Sequence, residues 1–380
     1  MSIPHLRIID STLREGEQFA HAHFSTAQKL QIAAALDRFG VDYMELTSPL
    51  ASPQSESDLR TVAQMARRFR LLTHVRCSLA DARRAIDTGV DGVDVLFATS
   101  TRLRTASHGL SIDEIIEIGT AVVREIRAAG LEARFSSEDS FRSDPDSLVR
   151  VYRAMDAAGA SRVGLADTVG VATPRQVHEL VALVRSSVAC DVEFHAHNDT
   201  GCAVANAHAA LEAGATHVDT TILGIGERNG IVPLSSLIAR LLTVQPDLVD
   251  RYRLEMLPEL DHMLAGMLGV DVPFTAPVTA PTAFHHKAGL HTKAVIADPG
   301  AYEALDPARF GLQRRVLAGH RLAGRHAIRA RATALGVQLD DAQLRRLTME
   351  VKRRADGGPL PDHDLDGLIA AWPAAVEGTA

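Results

Sequence analysis

Eight times in the first 245 residues, a short aliphatic or β-branched run gives way to an amphipathic run. The apolar runs fall at 6–11, 43–47, 71–75, 92–97, 132–136, 162–166, 191–195 and 217–223. The helical patterns fall at about 26–39, 55–68, 80–88, 111–129, 145–158, 174–187, 201–213 and 233–243. Consecutive parallel strands need a crossover, and a helix is the usual one, so this order predicts a parallel sheet. Eight such units in this length match a (β/α)8 TIM barrel, fold class α/β. A doubly wound open sheet is the alternative, but no GxGxxG follows the first strand. Thr173 before Pro174 reads as an N-cap followed by proline at the first helical position. Gly40, Gly89, Gly130, Gly159 and Gly214 each close an amphipathic run, where a left-handed residue often ends a helix.

The alternation stops near residue 270. Pro273, Pro277 and Pro281 then break any periodicity, which reads as an extended arm. Helical signals return at 321–335 and 341–355, end at Gly357-Gly358-Pro359, and resume near 362–371. The expected organisation is a catalytic barrel over 1–270, a linker arm and small subdomain over 271–320, and a small helical C-terminal subdomain over 321–380.

Composition narrows the function classes. Forty Lys+Arg against forty-seven Asp+Glu leave a formal charge of −7, which argues against a nucleic-acid partner. No stretch approaches the roughly 18 apolar residues of a membrane span. Cys77, Cys190 and Cys202 are odd in number and widely spaced, so a reducing cytoplasm is expected rather than a disulfide framework. Met1–Asp10 has no apolar core of the kind a secretory signal carries.

In a barrel of this kind the chemistry gathers at the C-terminal ends of the strands. Those ends carry Asp10, Arg14, Glu15 and Gln18; Glu45 and Thr47; His74 and Arg76; Asp94; Arg134, Ser136 and Glu138; Asp167 and Thr168; Glu193, His195, His197 and Asn198; and the run 224–230. Every strand delivers polar groups at one end. His195 and His197 are two apart, so on a strand both imidazoles share a face. They form either one divalent-metal site, completed by Asp10 or Glu15, or a polar loop. Histidine with carboxylate suits zinc, manganese, iron or cobalt and accepts magnesium. Arg14, Arg76 and Arg134 suit an anionic guest, because a guanidinium fork grips a carboxylate with two bonds. His285, His286 and His291 lie in the arm, as polar surface or as a catalytic group delivered by it.

Two long motifs carry a resemblance. Residues 9–18, Ile-Asp-Ser-Thr-Leu-Arg-Glu-Gly-Glu-Gln, resemble the first signature of the isopropylmalate/homocitrate synthase family, and 192–201, Val-Glu-Phe-His-Ala-His-Asn-Asp-Thr-Gly, resemble its second. The likeness also runs through 46–55, 134–142, 164–174, 217–230 and 286–293. Arg14-Glu15-Gly16, the histidine of Thr73-His74-Val75, and Ile231 in place of an asparagine resemble the lysine-pathway branch. Phe274–Pro281, Ala98 and Leu110 depart from that branch.

The resemblance implies a metal-dependent acyltransferase. It would condense acetyl-CoA with 2-oxoglutarate and hydrolyse the thioester to homocitrate and CoA. Phosphonopyruvate and oxaloacetate are the alternative oxo acids. It implies Glu15, His195 and His197 as ligands of a divalent metal (Mg, Mn, Zn or Co), and acetyl-CoA as cosubstrate. Arg14, Gln18, His74, Arg134, Ser136 and Thr168 would contact the oxo acid. His291, Glu138, Tyr302 and Arg14 would be catalytic. In a homodimer with exchanged arms, His291 and Tyr302 would come from the partner subunit. Asp94 and Glu193 match positions that hold the ammonium of lysine as inhibitor. A lyase or aldolase on the same barrel, or a sensor that binds without turnover, would lack the acid–base pair of the arm.

Overall fold

The computed structural model of the chain describes residues 3–377. The last three residues of the region expected to be helical over 321–380 lie outside the described residues, as do Met1 and Ser2. The chain divides into two compact units, Met1–Ala280 and Pro281–Ala380.

The first unit is a closed barrel of parallel strands in chain order. They are β1 (Arg7–Leu13), β2 (Tyr43–Leu46), β3 (Arg70–Arg76), β4 (Gly92–Ala98), β5 (Glu132–Glu138), β6 (Arg162–Asp167), β7 (Asp191–Ala196) and β8 (His217–Thr220). β8 closes on β1 in a register that sets Arg7 against His217 and Asp10 against Thr220. Around the barrel run α1 (Thr26–Phe39), α2 (Pro53–Ala63), α3 (Leu79–Ile86), α4 (Thr101–Ser107), α5 (Ile112–Ala128), α6 (Pro145–Ala157), α7 (Pro174–Arg185), α8 (Ala203–Glu212), α9 (Leu234–Val244) and α10 (Leu257–Leu268).

The helices start where capping chemistry allows. Ser25 with Gln28, Ser111 with Glu114, and Thr173 with Gln176 form reciprocal capping boxes at α1, α5 and α7. Each satisfies two otherwise orphaned N–H groups, and such a cap contributes about 1 kcal/mol. α1 ends on Gly40 at φ +102°, a conformation a side chain would strain. The other four glycines expected at helix ends also take positive φ. The layer between helices and strands is aliphatic: Ile115, Val122, Val123 and Ile126 of α5 are fully buried against it.

The inside of the barrel differs. Aliphatic layers usually fill such an interior, but here Glu45, Asp94, Arg134, Arg162, Glu193 and Asp219 are all buried. Burying charge is costly unless it is paired, and these side chains pair across the barrel, with Arg134 of β5 reaching Asp219 of β8 at 3.5 Å.

Two features depart from the sequence reading. β8 stops at Thr220 rather than running to 223. Leu223 turns left-handed at φ +59°, and the Thr221 hydroxyl donates to Ile225 O at 2.7 Å, closing a tight turn. α4, α10 and a later helix, α11 (Gly289–Ala297), also escaped the periodicity count. α10 buries Leu257, Leu260, Asp261, Leu264 and Ala265, a helical spacing whose one acid hid the pattern.

In the second unit, β9 (His285–His286) pairs in parallel with β10 (Arg315–Val316). α12 (Arg325–Ala334), α13 (Asp341–Arg354) and α14 (Asp362–Glu377) follow α11. Ala327, Ile328, Leu344, Leu347, Val351, Leu365 and Ile369 form their shared core.

Candidate active site

The C-terminal ends of β1 and β7 bring three ligand-type side chains together. One donor atom from each of Glu15, His195 and His197 lies within 4.8 Å of the others, and all three residues are buried. The two Nε2 atoms stand 3.3 Å apart, and His197 Nε2 is 3.9 Å from Glu15 Oε1. His195 Nδ1 faces Asp219 Oδ2 at 2.9 Å, so its Nε2 points at the other two groups. Glu15 is fixed from three sides, by Arg14 Nη1 at 2.6 Å, Gln18 Nε2 at 3.3 Å and the Glu227 backbone N–H at 2.9 Å.

Protonation states suit a cation. Burial, then the neighbouring His197 and Arg14, pull His195 down to about 3, so it is neutral at pH 7. Burial also lowers His197. Burial pushes Glu15 up, but Arg14 and the Glu227 N–H outweigh it and hold its carboxyl below the usual range. A carboxylate and two neutral imidazoles converging on one point form a donor set for a divalent metal. His197 Nδ1 is buried with no hydrogen-bond partner, while its Nε2 faces His195 Nε2 at 3.3 Å. Asp10 does not join the set. It is fully buried and accepts the Thr12 N–H at 2.9 Å.

The three residues open into a cavity of about 780 Å³. Arg14, Gln18, His74, Arg134, Ser136, Glu138 and Thr168 all line it, as the sequence reading expects. Arg14 is steered by Glu45, whose carboxylate accepts its Nε at 2.6 Å. Burial and the nearby Arg14 pull His74 down to about 3, so it too is neutral. Burial raises Glu138 above the ordinary glutamate value, with Arg14 opposing. Asp139, next in chain, turns left-handed at φ +60° and takes the Thr168 hydroxyl on its backbone N–H at 2.9 Å. That contact joins the ends of β5 and β6.

Asp94 and Glu193 do not line the cavity. Both are buried beside Arg134 and Arg162. Arg162 Nε reaches Glu193 at 3.1 Å, Arg134 pairs with the same carboxylate, and Arg134 Nη1 lies 3.7 Å from Asp94. Burial drives Asp94 well up and Glu193 to about 7, against the pull of the arginines. Arg76 does line the cavity, where it donates to Asp81 at 2.7 Å. In the second unit, His291 of α11 stacks on Tyr302 with ring centroids 4.3 Å apart.

Asp219 escaped the sequence reading as a site residue. The signal for Asp219 was its parity. Glu193 and His217 are register partners on β7 and β8, so His195 and Asp219, two residues on, face the same interior.

The barrel and its buried Glu/His/His set define an HMGL-like protein, and the HMGL-like family profile matches residues 5–263. A second profile, homocitrate synthase post-HMGL domain-like, matches 278–359. The chain belongs to the homocitrate synthase family. It is 52% identical to the mitochondrial homocitrate synthase of Schizosaccharomyces pombe, over 97% of this chain and 88% of that one. It is 48% identical to the cytosolic homocitrate synthase isozyme of Saccharomyces cerevisiae, over 99% of this chain and 88% of that one. In fold it is similar to the HMG-CoA lyase of Bacillus subtilis, with TM-score 0.63 and 22% identity over 72% of this chain and 97% of that one.

Proposed function

We propose that this protein condenses acetyl-CoA with 2-oxoglutarate and hydrolyses the resulting thioester, giving homocitrate and CoA in lysine biosynthesis. The observation that carries the reading is the convergence of Glu15, His195 and His197 with Arg14, His74 and Arg134 on one cavity. The family supplies the chemistry that this cavity would host. The names of the relatives favour 2-oxoglutarate over phosphonopyruvate or oxaloacetate.

Glu15, His195 and His197 hold the divalent metal, which supplies Lewis acidity at the keto group when bound. Arg14, Gln18, His74, Arg134, Ser136 and Thr168 receive the oxo acid. Guanidinium forks take its carboxylates, and neutral His74 offers one N–H donor without adding charge. Glu138, His291 and Tyr302 handle protons at acetyl-CoA. A base takes a proton from the acetyl methyl, the enolate carbon attacks the keto carbon, and the new alkoxide is protonated. Arg14 offsets the negative charge that develops. Water then cleaves the thioester and CoA leaves as the thiol. Histidine suits the proton transfers because its reference pKa lies near neutrality.

The resemblance to the family implies a homodimer in which each arm, carrying His291 and Tyr302, serves the partner's barrel. Asp94 and Glu193 would become the acidic end of a lysine inhibitor site only by leaving their pairs with Arg134 and Arg162. The cytoplasmic assignment leans on the cytosolic yeast isozyme, while the fission-yeast relative is named mitochondrial. Among the described residues no helix is long and apolar enough to cross a membrane.

The test is product identification. Acetyl-CoA, 2-oxoglutarate and Mn2+ incubated with the protein should yield homocitrate by mass spectrometry, and a Glu15→Ala variant should not form it. Absence of homocitrate with wild-type protein would end the reading.

A further inference from the structure

We propose that Asp261 is a positioning residue for the metal site, acting through the loop 222–230. The inference rests on the reading of Glu15, His195 and His197 as metal ligands.

Asp261 lies on α10, away from the cavity, and is 2% exposed. A buried carboxylate far from the chemistry calls for a reason, since an apolar residue would fill the space at no desolvation cost. Its two oxygens divide their work. Oδ1 accepts the Leu223 N–H at 3.3 Å, and Oδ2 accepts the Thr279 hydroxyl at 2.6 Å. Both contacts fall on strained backbone. Leu223 has φ +59° and Val278, next to Thr279, has φ +69°. L side chains rarely adopt this region, and a β-branched valine is least suited to it. Such conformations persist only where the surroundings over-determine them. Asp261 is the group the two strained segments share.

The first of those segments leads to the metal site. Four residues after Leu223, the Glu227 N–H donates to Glu15 Oε1 at 2.9 Å. The loop has no slack there. A Cβ on Gly226 would meet Glu15 Oε1 at 2.9 Å, and one on Gly230 would overlap the Gly224 carbonyl. If Leu223 relaxed to negative φ, the loop would leave Glu15 and withdraw a hydrogen bond that orients the ligand. The Thr279 contact fixes the barrel's exit segment to the same carboxylate.

The test measures Mn2+ affinity directly, by electron paramagnetic resonance of free Mn2+ during titration of the full-length protein. Asp261→Ala should weaken Mn2+ binding about tenfold, the usual scale for losing a group that orients a metal ligand. Thr279→Val, which spares the Leu223 contact, should stay within about twofold of wild type on the same scale. Leu223→Gly added to Asp261→Ala should recover most of the loss, because glycine takes positive φ without strain and no longer needs the clamp. A purely structural role for Asp261 would not respond to that second change. If Asp261→Ala alone fails to fold, Asp261→Ala with Leu223→Gly and the milder Asp261→Asn carry the test, each expected to bind Mn2+ near the wild-type level. Wild-type affinity in a folded Asp261→Ala protein overturns the proposal. So does a loss that Leu223→Gly leaves unchanged. If His195→Ala binds Mn2+ as tightly as wild type, the ligand assignment itself fails and the proposal goes with it.

Discussion

His195 Nδ1 stands 2.9 Å from an Asp219 carboxylate oxygen, and this contact turns the His195 Nε2 toward His197 and Glu15. A hydrogen bond at one ring nitrogen fixes the tautomer, so the other nitrogen carries the lone pair. Asp219→Asn offers an amide where the carboxylate stood and weakens that preference. Divalent-metal affinity should fall about 10- to 100-fold. Isothermal titration with Mn2+ measures it, and unchanged affinity would show that Asp219 does not orient His195.

The stacked His291 and Tyr302 predict a clean separation of binding from turnover. His291→Ala should leave 2-oxoglutarate affinity near normal. It should lower kcat by about 10²- to 10⁴-fold, the range for losing a general acid or base. Calorimetry and steady-state rates read the two effects. Full activity in the variant would remove His291 from the mechanism.

The barrel and most of this site were legible in the sequence, because both rest on local patterns. Strand–helix alternation reports burial on one stripe of each element, and a polar residue closing every strand reports the mouth. All ten residues expected as metal ligands, substrate contacts or the Glu138 acid–base group around the cavity do line it. What was not legible depends on register and on nonlocal pairing. Asp94 and Glu193 look like free strand-end acids in the sequence, yet Arg134 and Arg162 occupy both. Arg162 sits at the start of β6, where the sequence sets it no nearer to Glu193 than to any other acid. α10 was hidden because its buried stripe includes Asp261, whose partners Leu223 and Thr279 lie 38 and 18 residues away.

Glu138 carries a pH prediction. Burial raises its carboxyl above the ordinary value. The kcat/KM profile should therefore contain an ionisation above about 4.5, the region of an unperturbed glutamate. Glu138→Gln should remove that limb while leaving the others. Persistence of the limb would assign it to another group.

Asp10 predicts a stability difference with a definite sign. Burial raises it from 3.8 to about 7, although its bonds with Thr12 oppose the shift. The native state thus holds this proton more tightly than the unfolded chain. That contribution is fully present below pH 3.8 and is lost as pH rises through about 7. The stability of metal-free wild type relative to Asp10→Asn should fall across this window, by at most about 1.4 kcal/mol per pH unit. Urea unfolding of both proteins at several pH values gives the difference. A difference that grows with pH would contradict the assignment.

Lysine inhibition would have to displace existing ion pairs. Asp94 and Glu193 are held by Arg134, which also lines the cavity. Lysine should therefore compete with 2-oxoglutarate, and Glu193→Gln should raise its inhibition constant at least tenfold, about 1.4 kcal/mol for one lost charge contact. Noncompetitive inhibition, or none, would place any regulation elsewhere.

The central claim is the identity of the oxo acid, and thiol release reads it most directly. Free CoA would be followed with acetyl-CoA, Mn2+ and, in turn, 2-oxoglutarate, oxaloacetate, 2-oxoisovalerate, pyruvate and phosphonopyruvate. The account predicts the highest kcat/KM for 2-oxoglutarate: by at least about 100-fold over pyruvate and 2-oxoisovalerate, which lack the second carboxylate, and by about 10- to 200-fold over oxaloacetate, which is one methylene shorter. A higher value for phosphonopyruvate or oxaloacetate would contradict it.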